Sequence, residues 1–133
     1  LSARGIADRN KSLWGGWFMQ LREEAIYHAG DTGYSKDFIE TKTRLGSPSL
    51  SLIPVGAYAP RWFMKTHHVN PSEAIQIAID LESEKNFGMH WGTFQLTDEE
   101  ILEPPKMLKE SLKDQGLPDK FFNILKPGQV VAL

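Results

Sequence analysis

The stretch from residue 48 to residue 94 limits the fold more than any other part of the chain. It opens with "PSLSLIPVG" (48–56), nearly all buried in character and read as a strand. It closes with "NFGMHWGTF" (86–94), read as a short strand and turn. Between them "PSEAIQIAIDLESEK" (71–85) carries the strongest helix signals in the sequence. Asn70 is a good N-cap, Pro71 suits the first helical position, and Glu73 completes a capping box. Ala74, Ile75, Ala78, Ile79 and Leu81 form the apolar stripe.

The same alternation extends outward. "SLWGGWFMQL" (12–21) and "EEAIYHAG" (23–30) read as strands, close enough together for an antiparallel hairpin. "SKDFIETKTRL" (35–45) reads as a helix with Phe38, Ile39 and Leu45 on one face and Ser35 as its cap. "PPKMLKESLKDQG" (104–116) is a helix opened by prolines and closed by Gly116. "KFFNILKPGQVVAL" (120–133) is expected to hold two short strands around the turn "KPGQ". The order is strand, strand, helix, strand, helix, strand, helix, strand, strand, which argues for a layered α/β domain. Seven Phe and four Trp are a heavy apolar load for one small sheet covered on a single side. The chain is therefore expected to be part of something larger. Leu1 is not an initiator methionine, and "LSARGIADRNK" lacks the pattern of a signal peptide, so the expected start is mid-protein.

Composition removes whole classes of function. Net charge is −2, with no basic excess to neutralise nucleic-acid phosphates. No apolar run approaches the roughly 18 residues of a membrane span. Cysteine is absent, so any metal must be held by nitrogen and oxygen. No feature names a compartment; the cytoplasm or the periphery of a membrane is the expected place.

Three stretches carry chemistry-bearing residues. In "GDTG" (30–33) a carboxylate, Asp31, follows a strand and enters a turn. Such an Asp accepts backbone N–H groups in an Asx-turn, or serves a ligand at a strand end. In "MHWGTF" (89–94) His90 holds the equivalent place, as a structural histidine or as a metal ligand. Together, one carboxylate and one imidazole at strand ends suit zinc, iron or manganese. The loop "GAYAPRWFMKTHHVNP" (56–71) is either a packed loop or a substrate wall with a cationic corner. It carries Tyr58, Arg61, Trp62, Phe63, His67 and His68, the last two just before a helix N-terminus. His28 is assigned to solvent or core.

"HAGDTGYSKDF", "SLSLIPVGAYAPRWFMKTHHVNPSEAIQIAIDL" and "FGMHWGTFQLTDEEILEPP" together closely resemble the metallo-β-lactamase-fold hydrolases. The resemblance is greatest to the branch that contains the N-acylphosphatidylethanolamine-hydrolysing phospholipases D and their bacterial relatives. It implies the C-terminal half of a four-layer αββα fold over residues 1–133, one mixed sheet with helices on one face. It implies two divalent metal ions, taken as zinc, bridged by Asp31, with His90 binding one of them. His90 would be oriented by an acceptor on its other ring nitrogen. His68 is implied as a phosphate contact or proton donor, which with Asp31 makes the catalytic pair. Tyr58, Arg61, Trp62, His67 and His68 are implied on the substrate side. The family's "HxHxDH" ligand cluster has no match here, and a further histidine ligand is expected at or before Leu1. The implied reaction is hydrolysis of a phospholipid phosphodiester by metal-bound hydroxide. A lactonase or another phosphoester hydrolase is the alternative, as is a non-catalytic interaction module. The missing N-terminal half or a second copy of the chain is the expected partner.

Overall fold

A computed structural model describes residues 7, 15–126 and 128–131. Five strands form one mixed sheet in the order of the sequence: β1 (Trp17–Leu21), β2 (Glu24–His28), β3 (Leu50–Pro54), β4 (Lys85–Met89) and β5 (Asn123–Ile124). β1 and β2 make the expected antiparallel hairpin, while β2, β3, β4 and β5 run parallel. Parallel neighbours need long crossovers. These are supplied by α1 (Asp37–Leu45), α3 (Pro71–Asp80) and α4 (Glu103–Asp114).

The helices cover one face of the sheet. Tyr27, Ile53 and Val55 from that face pack with Phe38 of α1, Ile75 and Ile77 of α3, and Leu108 and Leu112 of α4. Fully burying each large aliphatic side chain contributes roughly 1.5–3 kcal/mol. The other face carries Trp17, Met19 and Leu21, which are 73%, 43% and 49% exposed. Register places Trp17 opposite His28 and Met19 opposite Ile26. Partners directly opposite in an antiparallel pair share a face. Part of the apolar load seen in the sequence, Trp17 with Met19 and Leu21, thus lies on the side away from the helices.

Several elements differ from the reading of the sequence. Helix α3 stops at Asp80 rather than near residue 85 because Glu82 takes a left-handed backbone (φ 50°). Glu82 N–H then bonds Ile79 O and Ser83 N–H bonds Ala78 O, closing a Schellman motif. Its buried stripe uses Ile77 in place of Ile79, which is 39% exposed. In α1 only Phe38 is buried; Ile39 and Leu45 are exposed, and the N-cap position is Lys36 rather than Ser35. Within the loop 56–71 a single helical turn, α2 (Arg61–Met64), forms on Pro60, whose carbonyl accepts from Phe63 N–H and Met64 N–H. Among the described residues at the C-terminus only β5 forms. The turn after it is closed by Gln129 N–H on Lys126 O, and residues 128–131 make no second strand. Residues 132 and 133, and 12–14 of the first expected strand, lie outside the described residues.

Two buried polar side chains hold irregular segments in place. Asn86 on β4 is fully buried. It accepts from Ser51 Oγ at 2.5 Å and donates to Phe121 O at 2.9 Å, fixing the approach to β5. Glu99 accepts from Tyr58 N–H at 3.2 Å, Ala59 N–H at 3.0 Å and Thr97 Oγ1 at 2.6 Å, fixing the loop after β3. Burial alone would push the Glu99 carboxyl up, but the Thr97 hydroxyl and the backbone N–H groups hold it below its ordinary 4.5. Among the described residues no helix is long and apolar enough to cross a membrane.

Asn86→Ala orphans the Ser51 hydroxyl and the Phe121 carbonyl, and a loss of about 2–4 kcal/mol is expected in denaturant unfolding. Glu99→Gln is expected to cost about 1–2 kcal/mol at neutral pH. Because the folded carboxyl lies below its unfolded value, its ionisation stabilises the fold fully above about pH 4.5 and ceases to do so as pH falls through the folded value. The wild type and E99Q should therefore converge in stability in that acid range. Curves that stay parallel down to pH 3 would contradict the role given to the carboxylate.

Candidate metal centre

The C-terminal ends of β2, β3 and β4 share one edge of the sheet, the edge where ligands gather in open α/β sheets. Each end feeds one loop, and each loop carries one of the residues singled out in the sequence. β2 leads into Gly30, whose left-handed backbone (φ 67°) turns the chain at Asp31. Gly30 N–H donates to His28 Nδ1 at 3.1 Å, which gives His28 a place in the turn rather than in solvent. β3 leads through the 55–70 loop to His68. β4 ends at Met89, and His90 follows with a left-handed backbone of its own (φ 59°). For a residue with a Cβ that conformation costs about 1–3 kcal/mol, and such strain clusters at functional sites.

Close backbone approach brings the three loops together. Gly33 abuts the 65–66 segment: a Cβ there would lie 2.7 Å from Thr66 O. Val69 N–H donates to Thr32 O at 2.8 Å, joining the turn after Asp31 to the residue after His68. A Cβ on Gly56 would overlap the His90 carbonyl, so only glycine lets the loop after β3 pass the turn after β4.

The result is a cluster of three donors. Asp31, His68 and His90 each offer one ligand atom, and the three atoms lie within 4.8 Å of one another. His90 Nε2 and Asp31 Oδ1 are the close pair, 3.4 Å apart. Two ligands on one tetrahedral ion at bond lengths of about 2.0–2.2 Å stand roughly 3.3–3.6 Å apart, so this separation suits a shared ion. The His68 and His90 rings are 5.2 Å apart at 36°. Nδ1 of each is buried without a hydrogen-bond partner, so the acceptor expected behind His90 is not found among the described residues. Burial pushes the His68 imidazole down, Asp31 pulls the other way, His90 adds to the lowering, and the net is a proton held less tightly than usual. Two imidazoles and a carboxylate form a donor set suited to zinc or another divalent transition ion.

The remaining substrate-side candidates are distributed differently. His67 is half-buried and lines a cleft of about 670 Å³ together with Asp31, Tyr34 and Phe18. Trp62 is 86% exposed, with its ring edge-on to Phe63 at 5.7 Å. Tyr58 is buried, its hydroxyl donating to Glu103 Oε1 at 2.6 Å, and burial with that bond keeps its proton firmly in place. Arg61 turns into its own loop, toward His68 O and Glu73. Reading the sequence did not identify Glu99, which holds the backbone of Tyr58 and Ala59, nor the second use of the Glu73 carboxylate. The second of these had a signal, since a carboxylate oxygen that caps a helix has a second lone pair to offer a cation.

Known proteins resemble the chain in sequence and in fold. The model of the "Beta-lactamase superfamily domain" family matches residues 1–91. N-acyl-phosphatidylethanolamine-hydrolyzing phospholipase D 1 of Caenorhabditis elegans is 39% identical over 96% of this chain and 36% of its own length. The mitochondrial N-acyl-phosphatidylethanolamine-hydrolyzing phospholipase D of Saccharomyces cerevisiae is 42% identical over 91% of this chain and 26% of its own length. The chain thus spans about a third or less of these two relatives. A solved metallo hydrolase from the archaeon Ignicoccus hospitalis shares the fold, with a TM-score of 0.64 over 92% of this chain and 46% of that one, at 22% identity. The mixed sheet, the strand-end donors and the matched family model lead to one assignment: the chain belongs to the β-lactamase superfamily, in the metallo-β-lactamase fold.

Proposed function

We propose that these residues form part of a metal-dependent hydrolase that cleaves a phosphodiester of a phospholipid, in the manner named for the two phospholipase D relatives. The observation that carries the reading is the convergence of Asp31, His68 and His90 from three separate strand ends. Asp31 and His90 hold a divalent ion, with zinc the ion proposed. Such an ion, when bound, supplies Lewis acidity and lowers the pKa of a coordinated water. If two ions are held, the exposed Asp31 carboxylate would be the ligand they share. Two ligands are too few for a catalytic site of this kind, which commonly has three from protein. Further donors are therefore assigned to polypeptide outside the described residues, packed on the open face of the sheet beside Trp17 and Met19.

His68 is assigned to the reacting phosphate, as a hydrogen-bond donor or proton carrier, since its ring stands beside His90 while Asp31 makes its close contact with His90 itself. His67 lines the cleft that begins at Asp31 and is placed along the substrate path. Trp62 and Phe63, both exposed, present an apolar flank to acyl chains. Such a chain works at the surface of a membrane rather than across it.

The test uses the whole polypeptide that carries these residues, with metal content by mass spectrometry and turnover of N-acylphosphatidylethanolamine. Asp31→Ala and His90→Ala should each lower bound metal and reduce turnover by more than the ~10–100-fold that loss of an outer partner costs at metal sites. His68→Ala should reduce turnover with the metal retained, whereas loss of metal would make it a third ligand. Unchanged metal content and turnover in both D31A and H90A would overturn the proposal.

A further inference from the structure

We infer that Arg61 and Glu73 are a positioning pair that fixes the His68 imidazole beside His90 and Asp31, and that Arg61 is not a cationic contact for substrate. The significance for hydrolysis rests on the role proposed for His68; the placement itself does not.

The main chain on both sides of the His68 side chain is tied at three points. His68 N–H donates to Met64 O at 2.9 Å. Arg61 Nη1 donates to His68 O at 2.8 Å and also reaches Tyr58 O at 3.3 Å. Val69 N–H donates to Thr32 O at 2.8 Å. Of these three, only the middle tie comes from a side chain, and Arg61 is held in turn by Glu73. Arg61 Nη2 meets Glu73 Oε2 at 2.7 Å, with the two side chains 30% and 22% exposed. That carboxylate is itself anchored, accepting from Asn70 N–H at 3.1 Å, while Glu73 N–H donates to Asn70 Oδ1 at 2.9 Å. The capping box of α3 thus extends through one guanidinium to the residue at the site. Three of the five guanidinium N–H groups are engaged, and the Glu73 carboxylate balances the charge, which weakens any pull on a substrate phosphate.

The planar guanidinium suits this task. Its two terminal nitrogens diverge in fixed geometry, one to a carbonyl and one to a carboxylate. A lysine has a single ammonium and cannot reproduce that span. Without the tie, the peptide group after His68 is held only through Val69 N–H, and the ring's distance to His90 is less tightly fixed.

The measurement is a long-range ¹H–¹⁵N spectrum of the imidazole rings in the whole polypeptide, with the His68 signals assigned by their loss in His68→Ala. Arg61→Met is expected to displace the His68 ring signals and leave those of His28 in place. Glu73→Gln should do the same in smaller degree, since glutamine preserves the capping box. Arg61→Lys, which retains the charge, should restore the His68 signals only in part. In turnover of bis(p-nitrophenyl) phosphate, R61M should lower kcat by ~10-fold or more in the wild type, and by little in the H68A background. His68 signals unmoved in R61M, or all rings shifting together, would overturn the inference. So would a rise in KM with kcat and the His68 ring unchanged, which would return Arg61 to the substrate. If H68A leaves turnover intact, the assignment of His68 to the reacting phosphate fails, and the ring signals still decide whether Arg61 positions it.

Discussion

Parallel pairing of β2, β3 and β4 brings three strand ends to one edge, and the centre depends on that arrangement. Without it, Asp31, His68 and His90 would belong to three unrelated loops, separated by dozens of residues of sequence. Parallel strands require crossovers, and the crossover helices α1 and α3 pack on the same side of the sheet. The loops that leave the strand ends therefore meet at that edge. The fine adjustment comes from backbone contact: the Val69–Thr32 hydrogen bond, the Gly33 approach to Thr66, and the Gly56 approach to His90. At the two glycines a Cβ has no room, so a larger residue there would separate the loops.

A second layer of organisation is polar and buried. Burying a carboxylate or an amide is costly unless every oxygen and nitrogen finds a partner. Asn86, Glu99 and the Arg61–Glu73 pair meet that demand by bonding main-chain groups of irregular segments. Directional bonds of this kind hold backbone that no helix or strand ladder holds. The loop between β3 and α3 shows this clearly. Glu99 holds its start, Arg61 its middle, and the Asn70–Glu73 box its end. The imidazoles at the centre are the exception. Nδ1 of both His68 and His90 is buried and unpartnered among the described residues.

Much of the fold was legible because its signals are local. Asn70, Pro71 and Glu73 announce the start of α3, and the structure forms the capping box in full. The hairpin of β1 and β2 and the helix ending before Gly116 followed from spacing and turn residues. The end of α3 was not legible, because a Schellman closure with Glu82 in the left-handed seat carries no glycine to mark it. α2 was missed since four residues are too few for a period to show. At the site, Asp31 and His90 stand out as ligand-type residues at strand ends beside glycines. The proximity of His68 to both is a tertiary fact with no local trace. The engagement of Arg61 with its own loop is another, and it changes the meaning of a residue that the sequence alone presents as a spare cation.

The account stands on Asp31 and His90 gripping a common ion at the end of the parallel strands. The most direct measurement is anomalous diffraction at the zinc edge from crystals of the whole polypeptide grown with zinc. A peak within bonding distance of Asp31 Oδ1 and His90 Nε2 is the result this account predicts. Zinc bound elsewhere, with those two side chains hydrogen-bonded to each other and to no ion, would contradict it.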